Sequence, residues 1–233
     1  MKLSVVMPAY NEIDTIEEIV ARVQAVPVDK EILLIDNCST DGTREKIQAL
    51  EAPGVRVILQ TRNMRKGNSV KKGIAAAQGD FLIIQDADLE YDPQDYLPLL
   101  EAAEQEGVYA VMGSRVLGLR REGKQLPVSI FSLGRQAINV WFALLFGKGL
   151  TDSASCYKLA RREVLQGLTL RCESFDLDFE LAAKFLKGAR RAGQRVVEIP
   201  VHYYPRSVHE GKKIGWRDGF AALWTILRFR FTD

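Results

Sequence analysis

Short apolar runs alternate with helix-period segments through the first half of the chain, and this alternation restricts the fold more than any other feature. Leu3–Met7 is a β-rich run, and Ile13, Ile16, Ile19, Val20 and Val23 then recur at a helical period. Glu31–Asp36 is a near-continuous apolar strand of the kind buried on both faces of a parallel sheet. Ser39-Thr40-Asp41-Gly42 is rich in N-cap residues and opens a helix reaching about Leu50. Val55–Leu59, Asp80–Gln85 and Val108–Met112 read as further strands, with helical segments at Val70–Ala77 and Gln94–Glu104 between them. Repeated units of this kind predict an α/β fold, a mostly parallel Rossmann-like sheet with helices on both faces. In such sheets ligands sit at the carboxyl ends of the strands, so the residues after each strand are the candidates.

The second half breaks the alternation. Arg120-Arg121-Glu122-Gly123-Lys124 reads as a charged loop, Ser129–Phe146 and Asp176–Leu186 as helices, and Arg195–Ile199 as a strand. At 233 residues the chain is expected to be one domain with an appendage rather than two. A hydrophobic share of 47% and a charged share of 27% exclude a disordered, collagen-like or disulfide-stapled chain. The net charge of +2 conceals a division: residues 1–114 hold 11 Lys/Arg against 19 Asp/Glu, and residues 115–233 hold 21 against 11. A basic half of this size suits an anionic partner. Cys38, Cys156 and Cys172 form an odd set without metal spacing, which fits a reducing, cytoplasmic compartment. The first residues do not read as a signal peptide, and no stretch has the roughly 18 apolar residues of a membrane span.

Three polar clusters follow the strands: Pro8-Ala9-Tyr10-Asn11-Glu12, Asp36 with Ser39-Thr40-Asp41-Gly42, and Asp86-Ala87-Asp88-Leu89-Glu90. Asp86 and Asp88 can both reach one hard cation if the chain turns there, and Mg2+ or Mn2+ so held keeps places for phosphate oxygens. Glu90 could add a third carboxylate. A lone Asp-x-Asp more often caps a turn, and only the coincidence of all three clusters raises it above that.

In order and spacing, over roughly residues 3–116, these clusters resemble the family-2 glycosyltransferases of the GT-A fold. Asp86–Pro93 and Gly113-Ser114-Arg115 are most similar to the dolichyl- or polyprenyl-phosphate hexose synthases, and Thr151–Ser155 extends the similarity more weakly. The resemblance implies a catalytic domain over 1–210, with a nucleotide-sugar half at 1–114 and an acceptor half at 115–210. Residues 211–233 would be a C-terminal amphipathic segment. It implies inverting, metal-dependent transfer from a GDP-mannose or UDP-glucose type donor. Pro8, Tyr10, Glu12, Asp36, Asp86, Ala87 and Lys212 would bind the donor, Lys213 would lie with Lys212, and Asp86, Asp88 and Glu90 would hold Mg2+ or Mn2+. Arg206 would neutralise the diphosphate and Arg115 and Arg135 the acceptor phosphate, because guanidinium forks match phosphate oxygens. The catalytic set is thus expected to be Asp88, Asp152 and Arg206. A lipid phosphate acceptor is already anionic and needs no general base, whereas an alcohol acceptor would require one, for which Asp152 is the candidate. A catalytically silent nucleotide-sugar-binding subunit is the reading from another class. Asn37 replaces the family's usual second Asp, and Ser155-Cys156-Tyr157-Lys158 replaces its Ser-Gly-Phe-Arg. Gln-x-x-Arg-Trp is missing, which argues against a processive polysaccharide synthase, and dinucleotide and P-loop glycine patterns are missing too. His202 and His209 stand beside no nucleophile signature and read as loop residues near the donor phosphates.

From Gly215 to Phe231 a helix would align Trp216, Phe220, Leu223, Trp224, Leu227 and Phe231 in one apolar stripe flanked by Arg217, Arg228 and Arg230. Such a helix can lie in a membrane interface, with Ser129–Phe146 as a second element, or it can pack its stripe on its own domain or a partner. Peripheral contact through 214–231 on the cytoplasmic face is the expectation, and nucleic acid is not an expected partner.

Overall fold

The computed structural model describes residues 2–124, 130–147, 149–206 and 216–232, without the side chains of 130–132 and 216–218. The first half follows the sequence pattern: β1 (Leu3–Ala9), α1 (Ile16–Ala25), β2 (Lys30–Asp36), α2 (Thr43–Ala49), β3 (Val55–Leu59), α3 (Arg65–Ala76), β4 (Phe81–Ile84), α4 (Tyr96–Glu104) and β5 (Val108–Ser114). The second half contributes α5 (Arg115–Arg121), α6 (Ile130–Phe146), β6 (Lys158–Arg161), α7 (Arg162–Gln166), α8 (Leu177–Arg191), β7 (Arg195–Pro200) and α9 (Trp216–Phe231). The strands form one sheet in the order β3-β2-β1-β4-β6-β5-β7. All neighbours run parallel except β6, which is antiparallel to β4 and to β5.

Side-chain alternation along the strands divides the core in two. Val5, Met7, Ile32, Leu34 and Ile83 face one side, where Ile16, Ile19, Val20 and Val23 of α1 and Leu99 and Leu100 of α4 cover them. Val6, Leu33, Ile35, Leu82 and Ile84 face the other, under Val70 and Ile74 of α3 and the apolar face of α8. At Gly73 the third helix lies so close to the sheet that a Cβ would stand 2.3 Å from Val6 Cγ1.

Three elements differ from the sequence reading. Arg120 and Arg121 are not loop residues but the last turn of α5, where their positive charge meets the carbonyl end of the helix. Strand β6 and helix α7 went unpredicted, and β6 enters the sheet between β4 and β5.

The C-terminal helix packs with a different face from the predicted stripe. Ala222, Thr225, Ile226 and Phe229 are buried, whereas Phe220, Trp224 and Phe231 are 67%, 65% and 75% exposed. On α6, Phe142 is buried and Leu133, Val140 and Leu144 are exposed. Trp141 of α6 donates from Nε1 to the Leu223 carbonyl at 3.2 Å, tying the two helices together.

Candidate active site

The strand order reverses direction between β1 and β4, which opens a crevice at their carboxyl ends. Among the described residues, the non-glycine positions with positive φ are Asn11, Cys38 and Arg65. They follow β1 and β2 and open α3, so the unusual backbone conformations gather along this edge. Asn11 Oδ1 accepts from the Thr40 N–H at 2.9 Å, and the Asn11 N–H donates to Ser39 Oγ at 3.0 Å, joining the first two loops. Thr15 Oγ1 donates to the Ala87 carbonyl at 2.9 Å, joining the first loop to the third.

Arg206, after β7, gathers the carboxylates of this crevice. Its two terminal nitrogens donate to Glu12 Oε2 at 2.9 Å and Asp88 Oδ2 at 2.7 Å. Its backbone N–H donates to Glu90 Oε1 at 2.9 Å. Arg206 Nε is buried without a partner among the described residues. Burial, then the neighbouring Asp86 charge, push the Asp88 pKa up to about 7, with Arg206 opposing and Glu90 adding to the rise.

Asp86 turns the other way. Its Oδ1 lies 2.7 Å from Lys66 Nζ, and Lys66 also stands 3.5 Å from Asp178. Asp178 in turn lies 3.6 Å from Lys158, a fully buried lysine. Four charges of alternating sign thus run inward from the crevice: Asp86, Lys66, Asp178 and Lys158. Burial opposes the charge on Lys66, but Asp178 and Asp86 outweigh it and hold its pKa above the ordinary lysine range. On Lys158 burial wins and lowers the pKa against the pull of Asp178.

A third cluster surrounds Asp152, which is completely buried. Arg115 grips it with both prongs, Nε to Oδ2 at 2.6 Å and Nη2 to Oδ1 at 2.7 Å, and adds its backbone N–H at 3.1 Å. Burial opposes the carboxylate charge, yet Arg115 more than offsets it and holds the pKa below the usual aspartate range. Arg115 also lies 5.1 Å over the Tyr203 ring. Glu198 of β7 fixes the turn from behind, accepting from the Thr151 and Asp152 N–H groups at 2.8 and 2.9 Å. The half-buried Arg135 feels Asp152 and Arg115 nearby but forms no ion pair with a carboxylate among the described residues.

The structure therefore brings Glu12, Asp88, Glu90 and Arg206 together, and places Arg115, Asp152 and Arg135 in an adjoining group. Pro8 and Ala87 are buried in the crevice wall, and Tyr10 is half-buried beside them. Asp36, expected to contact a base, lies at the end of β2. It is fully buried, and its oxygens accept from the Cys38 and Ser39 N–H groups at 3.1 Å each and from Arg44 at 2.9 Å. As placed, Asp36 holds the loop after β2. Lys212, Lys213 and His209 lie outside the described residues. His202 Nδ1 lies 2.8 Å from Asp95 Oδ1.

The profile of glycosyl transferase family 2 matches residues 4–169. The chain belongs to that family. A dolichol-phosphate mannosyltransferase from Pyrococcus furiosus is 30% identical over 218 residues, covering 92% of this chain and 60% of the relative. An undecaprenyl-phosphate mannosyltransferase from Micrococcus luteus is 29% identical and covers 99% of both chains. The chain spans about three-fifths of the length of the archaeal relative. Among solved structures, glucosyl-3-phosphoglycerate synthase from Mycobacterium tuberculosis bound to UDP superposes with a TM-score of 0.70 at 21% identity, covering 98% of this chain and 80% of that one. Mannosyl-3-phosphoglycerate synthase from Rubrobacter xylanophilus gives 0.71 at 18% identity, covering 98% and 72%. The fold is GT-A.

Some structures of the mycobacterial synthase contain Mn2+. In this chain no three potential ligand side chains converge ready-made among the described residues. The expected trio is separated: Asp86 is turned to Lys66, Asp88 to Arg206, and Glu90 to the Arg206 N–H. The donor set still fits a hard divalent cation. Asp86 and Asp88 are oxygen ligands, and the crowding that raises the Asp88 pKa is what a cation would relieve. Lys66, Asp178 and Glu198 escaped the sequence reading. The one signal for Lys66 was its position beside Gly67 in the first turn of α3.

Proposed function

We propose that this chain transfers a hexose from a nucleoside-diphosphate sugar, of the GDP-mannose or UDP-glucose type, to a polyprenyl phosphate at a membrane surface. The observation that carries the reading is the placement of Asp86, paired with Lys66, and Asp88, paired with Arg206, at the strand-reversal crevice. Asp86 and Asp88 would hold Mg2+ or Mn2+, which when bound would draw charge from the departing diphosphate. Arg206, with Lys212, would neutralise the same leaving group from the protein side. Direct displacement at the anomeric carbon would invert its configuration.

The acceptor reading draws on three supports. Two relatives that match 92% and 99% of this chain are named dolichol-phosphate mannosyltransferase and undecaprenyl-phosphate mannosyltransferase. Among the described residues Arg135 forms no ion pair with a carboxylate, whereas Arg115 is bound to Asp152 and would orient that neighbourhood. A lipid phosphate brings its own negative charge and needs no base, which suits an Asp152 whose two oxygens already hold Arg115. An alcohol acceptor would need that carboxylate free.

For the surface, Phe220, Trp224 and Phe231 on α9 and Leu144 on α6 stand exposed, with Arg228 and Arg230 beside the aromatic stripe. Among the described residues no helix is long and apolar enough to cross a membrane. An interfacial helix binds peripherally through such a stripe, its cations meeting anionic headgroups. The cytoplasmic face of a membrane is the proposed site of action, and 211–233 the membrane-facing appendage of the catalytic domain.

The test incubates the protein with labelled GDP-mannose or UDP-glucose, polyprenyl phosphate and Mn2+, and follows label into the organic phase. Label passing only to a soluble alcohol would overturn the acceptor reading, and no transfer from any donor would overturn the whole. In parallel, the double variant Phe220→Ser/Trp224→Ser should keep its melting temperature, since both side chains are largely exposed, but lose sedimentation with anionic vesicles. Undiminished sedimentation would remove α9 from the membrane.

A further inference from the structure

We propose that Lys66, braced by Asp178, is a resident counter-ion of Asp86, so that a divalent cation and a nucleoside diphosphate bind this enzyme cooperatively. The proposal rests on the donor reading above and adds a residue that reading does not use. Lys66 Nζ lies 2.7 Å from Asp86 Oδ1, a direct ion pair on an oxygen that a metal would need. The ammonium is not free to drift. It stands 3.5 Å from Asp178 and 5.5 Å from the centre of the Phe175 ring. Its backbone is equally constrained, because the adjacent Gly67 N–H donates to the Glu173 carbonyl at 2.8 Å. A Cβ at Gly67 would lie 2.6 Å from the Glu173 carbonyl carbon, so the start of α3 is seated against that segment.

Arg206 does for Asp88, at 2.7 Å, what Lys66 does for Asp86. Each carboxylate of the pair therefore already holds one of the protein's own cations, shared with Asp178 at Lys66 and with Glu12 at Arg206. A divalent ion arriving alone must displace or oppose two positive groups. A diphosphate entering the crevice supplies anionic oxygens to which Lys66 and Arg206 can turn, and that releases Asp86 and Asp88 toward the metal. Each ligand then raises the affinity of the other by the same factor, as thermodynamic linkage requires. The side chain of Lys66 keeps 14% exposure and that of Asp86 25%, so the exchange occurs at the crevice surface and not in the core.

The experiment measures Mn2+ binding by the loss of the free-ion electron paramagnetic signal, with no nucleotide, with GDP and with UDP. The wild type should bind Mn2+ weakly alone and about tenfold or more tightly with one of the two, within the usual 5–150-fold range of coupling. Lys66→Met should bind Mn2+ alone several-fold more tightly than wild type and show a coupling factor closer to one, with an unchanged circular dichroism spectrum. Lys66→Arg, which keeps the charge, should retain most of the coupling. Equal wild-type affinity for Mn2+ with and without bound nucleotide would overturn the proposal. So would a Lys66→Met protein that is folded but no better at binding Mn2+ alone. Failure of both GDP and UDP to bind would instead overturn the donor reading.

Discussion

Replacing Arg115 by Met tests the Asp152 cluster most directly. The substitution keeps side-chain bulk but removes both prongs of the guanidinium, at 2.6 and 2.7 Å, from a carboxylate with no solvent exposure. Removing one partner of a buried pair typically costs about 3–5 kcal/mol, because the remaining charge is left without compensation. Arg115 retains 16% side-chain exposure, so water can partly replace it and the lower end, about 3 kcal/mol, is expected. With a urea slope of about 3 kcal/mol per molar, the unfolding midpoint should fall by about 1 M at pH 7. The pH dependence has a definite sign. In the wild type the Asp152 pKa is depressed, so the pair contributes stability above the unfolded carboxylate pKa of about 3.9 and loses it as pH falls. In Arg115→Met the buried carboxylate is instead relieved by protonation. The gap between the two proteins should therefore narrow from pH 7 toward pH 4. Urea melts at several pH values read by tryptophan fluorescence measure both quantities. A gap under about 1 kcal/mol at pH 7, or one independent of pH, would refute the reasoning.

Other expectations follow from the same geometry. Asp88→Asn should reduce sugar transfer by about a hundredfold or more while leaving the fold intact, as judged by circular dichroism; near-normal turnover would remove Asp88 from the reaction. Gly73→Ala should destabilise by about 1–3 kcal/mol through overpacking, since its Cβ would meet Val6 at 2.3 Å and Ile35 at 2.9 Å; calorimetry decides. For Glu31 burial acts to raise the pKa, but the Ser4 hydroxyl, the Gln78 N–H and Arg56 outweigh it and hold it low. Its stabilisation is thus present above the unfolded value of about 4.3 and is lost as pH falls through the lower folded value. Glu31→Gln should accordingly be less stable than wild type at pH 7, and the two should converge in acid.

The parallel strands were legible because each is an apolar run such as Glu31–Asp36 with a helix-period segment after it. Strand β6 was not, since its four residues carry a charge at each end, and only the burial of Lys158 by Asp178 and nearby carbonyls makes it a sheet member. At the site, Asp86 and Asp88 announced themselves by following a strand. Lys66 and Asp178 could not, because they are 112 positions apart and their meaning lies in the contact. The conspicuous aromatic stripe of α9 was found, but not its orientation. Ala222, Thr225, Ile226 and Phe229 form a second, quieter stripe, and that one docks.

The placement of β6 also governs the order in which the molecule can be assembled. Strands β4 and β5 share no direct ladder; they pair with a segment made 80 and 46 positions later, at Phe81↔Arg161 and Met112↔Lys158. Until residue 161 has left the ribosome, both present open strand edges, with the unpaired backbone that invites association. An emerging chain of this length therefore passes through a vulnerable interval in which half its sheet awaits a keystone. Slowing translation between residues 114 and 161 should lengthen that interval and lower the soluble yield, even though the finished protein is identical.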